Sequence, residues 1–459
     1  MKKKLNYKEY ITIASMLFGM FFGAGNLIFP VTLGQHAGNQ LWSAFAGLFI
    51  TGVGLPLLGV AALGISRCNG LFELSSKIGR PYGFFFTCLL YLTIGPFFAI
   101  PRCATTSFTV GLEQILPQNE QSWLYLLLFS VLFFAVALFF SLRPGKILTW
   151  IGKILNPVFL IFLGILIIVA LLSPSAQIAE VEPLSDYASH PFFAGFLEGY
   201  NTMDALASLA FGIIVVQVIR DLGIEEPEAI AGSTVRSGIF SCLFMGLIYL
   251  AVTIVGVQSR GLFAPAENGG VALAQISQHY LGNTGLIILA CTVTFACLKT
   301  AVGLITSCAE TFCAMFPKGP QYKTWAIIFS AVSFLIANLG LNAIIGYSLP
   351  VLMFLYPLSI VLILLTLFSR FFKHDRVVYI CTIGFTLIAS VYDLLCALPE
   401  ALRSACHLDA PLSAIGKILP LSALGLGWLC PAAIGLFIGL LIHVMHRQSP
   451  ASAPEQNGQ

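Results

Sequence analysis

The sequence contains little charge. Asp, Glu, Lys and Arg make up only 9% of its 459 residues, whereas 58% of the residues are apolar. A soluble domain carries about 25% charged residues, so this chain has too little polar surface to cover a water-soluble globule. The composition therefore predicts a membrane protein and excludes a soluble enzyme and a secreted scaffold.

The sequence also lacks the patterns of a metal cage, a nucleic-acid surface and a catalytic centre. Its twelve cysteines include no CxxC pair, and most lie inside apolar runs as small packing residues do. The net charge is only +3 and is spread over loops, so we expect no nucleic-acid partner. With no HExxH motif and no nucleophile–base set, we expect neither catalysis nor a cofactor.

Long apolar runs fill the chain instead. A helix needs about 20 apolar residues to cross about 30 Å of hydrocarbon. The twelve candidate spans, numbered in chain order, are 11–34, 41–66, 83–112, 122–141, 147–172, 192–219, 237–258, 284–316, 324–340, 343–369, 377–398 and 415–445. We predict one transmembrane domain over residues 1–446, embedded in a lipid bilayer, and a short disordered tail over 447–459.

The basic residues are distributed unequally between alternate loops. With twelve spans, eighteen of the 23 Lys and Arg residues lie on the side of the N-terminus and three on the other side. The remaining two, Arg102 and Lys299, lie within spans. Because cytoplasmic loops hold the excess of Lys and Arg, we expect both termini in the cytoplasm.

Two spans contain residues that break helices. Residues 19–30 in span one read GMFFGAGNLIFP, and residues 193–204 in span six read FAGFLEGYNTMD. Unwound backbone at membrane depth is tolerated only where it lines a cavity or is buried in protein. Close packing of a glycine-rich helix would explain one such stretch, but two at similar depth favour a binding site between them.

The spacing of the breaks predicts an internal repeat. Because they lie five spans apart, the two broken helices run in opposite directions, as in a five-helix unit repeated upside down. The repeats would cover about 11–172 and 192–369, and the helices at about 377–398 and 415–445 would lie outside them.

The ends of broken helices suit an amino acid. Free N–H groups at the start of a half-helix favour a carboxylate, and free carbonyls at the end of a half-helix favour Na⁺ or an ammonium. We expect the substrate carboxylate near the amides of Ala24, Gly25 and Asn26, and the ammonium near carbonyls around Phe21 and the span-six break. The predicted substrate-binding residues are Phe21, Phe22, Gly23, Ala24, Gly25, Asn26, Phe196, Glu198, Gly199, Tyr200, Asn201 and Thr202.

Four motifs resemble the branched-chain amino acid cation symporter family, the bacterial system II carriers for leucine, isoleucine and valine. The motifs are Gly19–Pro30, Gly95–Arg102, Glu198–Ala207, and Ala296–Leu298 with Thr300–Leu304. The resemblance implies an all-α LeuT-type fold of twelve transmembrane helices, with a 5+5 inverted repeat, broken helices 1 and 6, and two extra C-terminal helices. It also implies sodium-coupled uptake across the bacterial plasma membrane by rocking of spans one, two, six and seven, with no obligate protein partner.

Four ionisable residues lie deep in spans, namely Arg102, Glu198, Asp204 and Lys299. Each such residue costs about 2.5–3.5 kcal/mol or more and usually marks function. Their depths predict two pairs of opposite charge: Arg102 with Glu198 as an outer gate, and Asp204 with Lys299 in the inner half. Alternatively, Arg102 reaches the lipid headgroups, and Asp204 caps the inner half-helix that begins near Met203.

Lys299 departs from the family pattern. The resemblance implies a sodium site built from carbonyls of the span-one break and hydroxyls of span eight, and Lys299 stands where one hydroxyl is common. In one alternative its ammonium replaces the sodium, and coupling is proton-driven or uses another sodium site. In another, Lys299 turns to Asp204 and sodium binds Gly19, Phe22 and Thr300. In the third, the long side chain of Lys299 simply extends toward the membrane surface. The predicted cation-site residues are Gly19, Phe22, Ala296, Lys299 and Thr300.

A channel and an exchanger for another small apolar amino acid are the alternative functions. Channels usually assemble a pore from rings of identical elements, whereas two unlike breaks in one chain favour a closed, asymmetric carrier site. The preference among leucine, isoleucine and valine stays open, because one methylene is worth only about 1–3 kcal/mol in an apolar pocket.

Overall fold

The apolar runs form helices. A computed structural model describes residues 5–66, 68, 70–116, 122–143 and 156–448, and within these ranges the chain contains helices and no β-strand. Helices satisfy their own backbone donors and acceptors, which a bilayer core without water requires.

The N-terminal part carries the first break. Its helices are α1 (Tyr7–Phe21), α2 (Ala24–Ala37), α3 (Leu41–Phe49), α4 (Leu55–Ser66), α5 (Leu71–Ser76), α6 (Arg80–Leu92), α7 (Ala99–Ser107), α8 (Ser122–Ser141) and α9 (Asn156–Leu172). Short π-helical segments join α3 to α4 and α6 to α7, and a third one follows α7.

The C-terminal part carries the second break. Its helices are α10 (Asp186–Ser189), α11 (Pro191–Thr202), α12 (Asp204–Asp221), α13 (Pro227–Ser259), α14 (Gly269–Met315), α15 (Tyr322–Ala337), α16 (Leu341–Leu367), α17 (Arg376–Cys396), α18 (Glu400–Ala405), α19 (Asp409–Ile418) and α20 (Leu429–Gln448). Helix α14 bends at Gly282, whose φ of 58° only glycine adopts readily.

The chain is a multi-pass membrane protein. Among the described residues, eight continuous helical stretches are long and apolar enough to cross a bilayer, and α11 with α12, bent by 41°, makes a ninth. Two shorter apolar helices, Leu160–Leu172 and Tyr322–Ala337, overlap predicted spans five and nine. The number of twelve spans stays a prediction.

Three predicted segments differ from the structure or fall partly outside it. The run at 415–445 is two helices, since α19 ends at Ile418 and α20 begins at Leu429. Pro420 lacks a backbone donor and Gly425 has a φ of 67°, so neither continues a helix. Residues 147–155 of span five and 449–459 of the predicted tail lie outside the described residues.

Glycines bring the broken helices into backbone contact with their neighbours. A Cβ on Gly34 of α2 would overlap the Thr253 carbonyl of α13, and a Cβ on Gly195 of α11 would overlap the Ala44 carbonyl of α3. Small residues permit such an approach between membrane helices. Both breaks are therefore held against closely packed helices.

A hydrogen-bonded pair joins α17 to α20. Asp375 caps the start of α17 by accepting a hydrogen bond from the Val377 N–H at 2.9 Å, and it also accepts one from His443 Nδ1 at 2.5 Å. The hydrogen bond from His443 lowers the pKa of Asp375 below its usual value. A lowered carboxyl pKa stabilises the fold above about pH 4, and this stabilisation is lost as the pH falls through the folded-state pKa.

We predict that Asp375→Ala destabilises the protein at neutral pH by about 1–2 kcal/mol, because both the cap and the pair are lost. The difference from the wild type should shrink as the pH falls below about 4. Thermal unfolding of the purified protein at a series of pH values measures both effects. The matched control Asp409→Ala removes an exposed pair with Arg403 and should change stability by less than about 1 kcal/mol. An equal deficit for Asp375→Ala at pH 7 and pH 3 would contradict the assignment.

Candidate functional site

The first break lies between α1 and α2. Phe22 (φ −72°, ψ 91°) and Gly23 (φ −121°, ψ −154°) are extended, and the Gly23 N–H donates to Asn26 Oδ1 at 2.7 Å instead of to a helical carbonyl. A Cβ on Gly23 would lie 2.6 Å from Thr300 Oγ1 of α14. The break is therefore a place where α14 approaches the backbone closely and only glycine fits.

The second break lies between α11 and α12 at a single residue. Met203 is buried and adopts the left-handed conformation, with φ 62° and ψ 10°. A residue other than glycine pays about 1–2 kcal/mol in this region, so the surrounding contacts must hold the turn in place. Both stretches that the sequence marks as helix-breaking are thus broken in the structure.

Asp204, the first residue of α12, connects the two breaks. Its Oδ2 accepts hydrogen bonds from Asn26 Nδ2 at 2.5 Å and from the Tyr249 hydroxyl at 2.7 Å, and Asn26 Nδ2 also contacts the Tyr249 hydroxyl. All three side chains are buried. The predicted pair of Asp204 with Lys299 is not formed, because the carboxylate points across the break to Asn26. Asp204 also does not cap α12: the Thr202 hydroxyl accepts a hydrogen bond from the Asp204 N–H at 3.4 Å.

Arg102 of α7 binds the end of α11. Its Nη1 donates to the Asn201 carbonyl at 2.7 Å and its Nη2 to the Thr202 carbonyl at 3.4 Å, and the guanidinium lies 5.2 Å from the centre of the Phe29 ring. These carbonyls have no helical partner where α11 stops. The predicted ion pair with Glu198 is not formed. Glu198 accepts a hydrogen bond from Asn201 Nδ2 at 3.2 Å instead.

Arg102 also does not extend to the lipid headgroups, since only 3% of its surface is exposed. A buried guanidinium needs hydrogen-bond acceptors, and the break supplies them as main-chain carbonyls.

A small cavity lies between the breaks. Its volume is about 20 Å³, which is room for about one water molecule. Helices α1, α2, α7, α11, α12 and α14 line it, together with the residues that join α1 to α2, α6 to α7 and α11 to α12. The lining residues are Met20, Phe21, Gly23, Gly25, Asn26, Ile94, Ala99, Arg102, Cys103, Thr202, Met203, Asp204, Ala207, Phe211, Thr300 and Leu304. An amino acid enters only if these elements move apart.

The cavity gathers part of the predicted substrate-binding set. Phe21, Gly23, Gly25, Asn26 and Thr202 line it. Ala24 is the first residue of α2. Phe22 lies two residues earlier, and the centre of its ring is 6.1 Å from the centre of the Tyr249 ring. The other predicted residues lie on α11 outside the cavity lining, and they are Phe196, Glu198, Gly199, Tyr200 and Asn201.

The predicted cation-site residues lie where α14 passes α1. Thr300 Oγ1 donates a hydrogen bond to the Met20 carbonyl at 3.2 Å. Met20 lies in the chain between Gly19 and Phe22, the two residues whose carbonyls were predicted to bind the cation. Lys299 is fully buried, and its Nζ lies 5.8 Å from the centre of the Phe18 ring. The buried residue Ala296 lies one turn earlier on α14. Within the described ranges no group of three or more His, Cys, Asp or Glu side chains could hold a metal ion.

Tyr249 is the residue that the sequence analysis missed. It lies in the apolar run 237–258, and its phenol is a polar group at mid-span. A hydroxyl at that depth needs a hydrogen-bond partner. That requirement could have identified Tyr249 as a candidate site residue from the sequence.

Comparison with known proteins covers almost the whole chain. A family model described as branched-chain amino acid transport protein matches residues 6–446. The branched-chain amino acid permease BrnQ of Lactobacillus delbrueckii subsp. lactis is 51% identical over 434 residues, which are 95% of this chain and 96% of that protein. The branched-chain amino acid transport system 2 carrier protein of Pseudomonas aeruginosa is 39% identical over 434 residues, which are 94% and 95% of the two chains.

Solved transporters share the fold. Mhp1, a nucleobase-cation-symport-1 family transporter in a closed conformation with bromovinylhydantoin bound, matches with a TM-score of 0.59 and 14% identity over 97% of this chain and 94% of that chain. MhsT in complex with L-phenylalanine matches with a TM-score of 0.55 and 16% identity over 97% and 99% of the two chains. At this identity the likeness concerns the fold alone.

We predict that Asp204→Ala is more destabilising than Tyr249→Phe. The first substitution leaves the buried Tyr249 hydroxyl without its acceptor, at about 1–3 kcal/mol, and it also removes the carboxylate that accepts from Asn26, which keeps only its contact with the Tyr249 hydroxyl. The second removes one donor and leaves the carboxylate bonded to Asn26. Chemical or thermal unfolding of the purified protein measures the order, with Asp221→Ala at the exposed end of α12 as the control. A larger loss for Tyr249→Phe would contradict the role of Asp204 as the shared acceptor.

Proposed function

The chain belongs to the family of branched-chain amino acid transport proteins, and from this premise we propose that it is a secondary active transporter that takes up leucine, isoleucine and valine together with a cation. The motif resemblance is thereby confirmed, and a member of a transport family is not an enzyme. The observation that carries the proposal is the meeting of two broken helices at one buried cavity.

The start of α2 supplies the carboxylate site. The first N–H groups of a helix have no helical partner and carry positive dipole character, which suits an anion. Gly23 and Gly25 line the cavity without side chains, so a ligand carboxylate reaches the amides of Ala24, Gly25 and Asn26. This placement is supported by the cavity lining and by the relatives, which are named as carriers of branched-chain amino acids.

The opposite side of the cavity suits the ammonium and the side chain. Asp204 and the carbonyls near Phe21 and Thr202 supply negative charge and acceptors. Phe21, Phe211 and Leu304 supply apolar surface for an isobutyl or isopropyl group. The pairing of a polar and an apolar wall supports a branched, apolar amino acid over a nucleobase or a sugar.

Rocking of spans one, two, six and seven against the rest of the chain would open the cavity. In an inverted repeat of five spans, span one corresponds to span six and span two to span seven. The packing of α2 on α13 should then recur as the packing of α12 on α4. Both contacts are made through glycine: Gly34 and Gly256 in the first, Gly59 against Ser208 in the second. This recurrence supports a 5+5 repeat with α17–α20 outside it, and the basic residues of the loops support cytoplasmic termini.

The contact between α1 and α14 is the proposed coupling site. Thr300 reaches the Met20 carbonyl there, and Lys299 brings a buried amine one residue away. In the proton version the ammonium of Lys299 stands in for sodium, so that loss and gain of its proton accompany transport. In the sodium version the ion itself binds carbonyls of the break and the hydroxyl of Thr300.

Uptake under separately imposed gradients distinguishes the two versions. With the purified protein in proteoliposomes, the proton version predicts leucine uptake driven by a pH gradient without sodium, and a gain of sodium dependence in Lys299→Thr. Lys318→Thr, in the loop after α14, is the matched control and should behave as the wild type. Uptake by the wild type that needs sodium and ignores the pH gradient would remove the proton version.

A second prediction tests the place of the substrate. Gly23→Ala should reduce leucine uptake at least tenfold, because its Cβ would lie 2.6 Å from Thr300 Oγ1 and inside the cavity lining. Gly346→Ala on α16 is the matched control, since nothing lies within 4 Å of its added Cβ. Initial rates at equal amounts of reconstituted protein make the comparison. Unchanged uptake by Gly23→Ala would place the substrate elsewhere.

A further inference from the structure

Three buried polar side chains join α11 to the C-terminal helices. Tyr200 lies on α11, Asp393 lies near the end of α17, and Trp428 directly precedes α20. At most 4% of the surface of each residue is exposed. Trp428 and Asp393 are the side chains that act on the Tyr200 hydroxyl. We call these three residues the Asp393 cluster, and none of them lines the cavity between the breaks.

Glycines in the segment before α20 bring Trp428 against the other two elements. A Cβ on Gly425 would lie 2.7 Å from Leu197 Cδ1 of α11, and a Cβ on Gly427 would lie 3.2 Å from Asp393 Oδ1 of α17. Gly425 also has a φ of 67°, which glycine adopts readily. This segment therefore contacts α11 and α17 closely at the same time.

The Asp393 cluster contains three polar atoms that the chain leaves unpaired. The Tyr200 hydroxyl, Trp428 Nε1 and Asp393 Oδ2 make no hydrogen bond to any residue that the structure describes. Buried polar atoms are almost always paired with protein or with ordered water, and an unpaired carboxylate inside a membrane protein is especially costly. Three such atoms from three elements indicate a site for a small polar ligand that bonds to all of them.

The chemistry of the three atoms selects the ligand. The indole N–H only donates a hydrogen bond, an ionised carboxylate only accepts, and the phenol hydroxyl does either. A metal cation does not fit, because the indole offers it no lone pair, and an anion does not fit beside the carboxylate. A water molecule accepts from the indole, donates to the carboxylate and bonds to the phenol. These are three hydrogen bonds, the usual number for a buried water.

We propose that the Asp393 cluster binds one water molecule, and that this water links α11 to the C-terminal helices while the central cavity is closed. Helices α17 and α20 lie outside the proposed repeat, whereas α11 belongs to the unit that rocks in the proposed transport cycle. Opening of the cavity carries Tyr200 away from Asp393 and Trp428 and breaks the link. The movement rests on the proposed function, and the water site does not.

X-ray footprinting of the purified full chain tests the water site. Hydroxyl radicals that X-rays generate from a bound water oxidise the side chains in contact with it, and mass spectrometry locates the products. Tyr200 and Trp428 should be oxidised although both are buried. Tyr91 is the internal control, because it is equally buried and its hydroxyl donates to the Ala210 carbonyl at 3.4 Å. Oxidation of Tyr200 and Trp428 no greater than that of Tyr91 would overturn the proposal.

A matched pair of substitutions at Asp393 tests which group holds the water. Asp393→Leu removes the acceptor, so the oxidation of Tyr200 and Trp428 should be lost. Asp393→Asn keeps an acceptor of nearly the same shape and should retain it. Oxidation that persists in Asp393→Leu would contradict the role of Asp393.

Leucine binding tests the link to transport. The closed cavity admits no leucine, so loss of a contact that exists only in the closed state should lower the Kd for leucine. Tyr200→Phe and Asp393→Leu should each lower it, and the double variant should lower it no further, because both substitutions remove the same link. Tyr347→Phe, at an exposed position on α16, is the control and should leave the Kd unchanged.

The outcomes separate the two levels of proposal. Additive effects of the two substitutions, or a higher Kd in Tyr200→Phe, would contradict the link between α11 and the C-terminal helices. If the wild-type protein neither binds nor takes up leucine, the proposed function fails, and the footprinting result still decides the water site.

Discussion

Backbone groups that a helix break releases inside a membrane must find partners in the protein, because the bilayer core holds no water. The structure depends on this constraint. At the first break the Gly23 N–H binds Asn26, and at the second break the carbonyls of Asn201 and Thr202 bind Arg102. Asn26 then binds Asp204, so the side chain that satisfies one break also ties it to the other.

This arrangement gives the closed cavity a physical means of opening. Each polar contact between the breaks holds groups that would be costly to bury alone, at about 1–3 kcal/mol for an unsatisfied donor. A zwitterionic amino acid has a carboxylate that accepts hydrogen bonds and an ammonium that donates them. It can therefore bind the donors and acceptors that now bind each other between the breaks. In the proposed transport cycle the helices separate around a ligand without leaving buried polar groups unpaired. The close glycine contacts of α2 with α13 and of α11 with α3 then hold spans one, two, six and seven together as they rock against the rest of the chain.

The sequence predicts the membrane class and the position of both breaks, because apolar length and helix-breaking residues are local properties. It does not predict the partners of the buried charges. The depth of a residue along a helix can be estimated from its number, but the rotation of the helix about its axis after a break cannot. The sequence therefore did not show that Arg102 binds main-chain carbonyls rather than Glu198. Asp204 likewise turns to Asn26 and to Tyr249, which stands in an otherwise ordinary apolar run. The last predicted span was wrong for a different reason. Its high mean apolarity suggested one continuous helix, although Pro420 is a local signal that the helix ends there.

An experimental structure of the protein with leucine bound tests the central claim most directly. The account predicts leucine between the two breaks, its carboxylate within hydrogen-bonding distance of the main-chain N–H groups of residues 24–26, and both helices still interrupted near Gly23 and Met203. Leucine bound away from both breaks, or a continuous helix through either of them, would contradict the account.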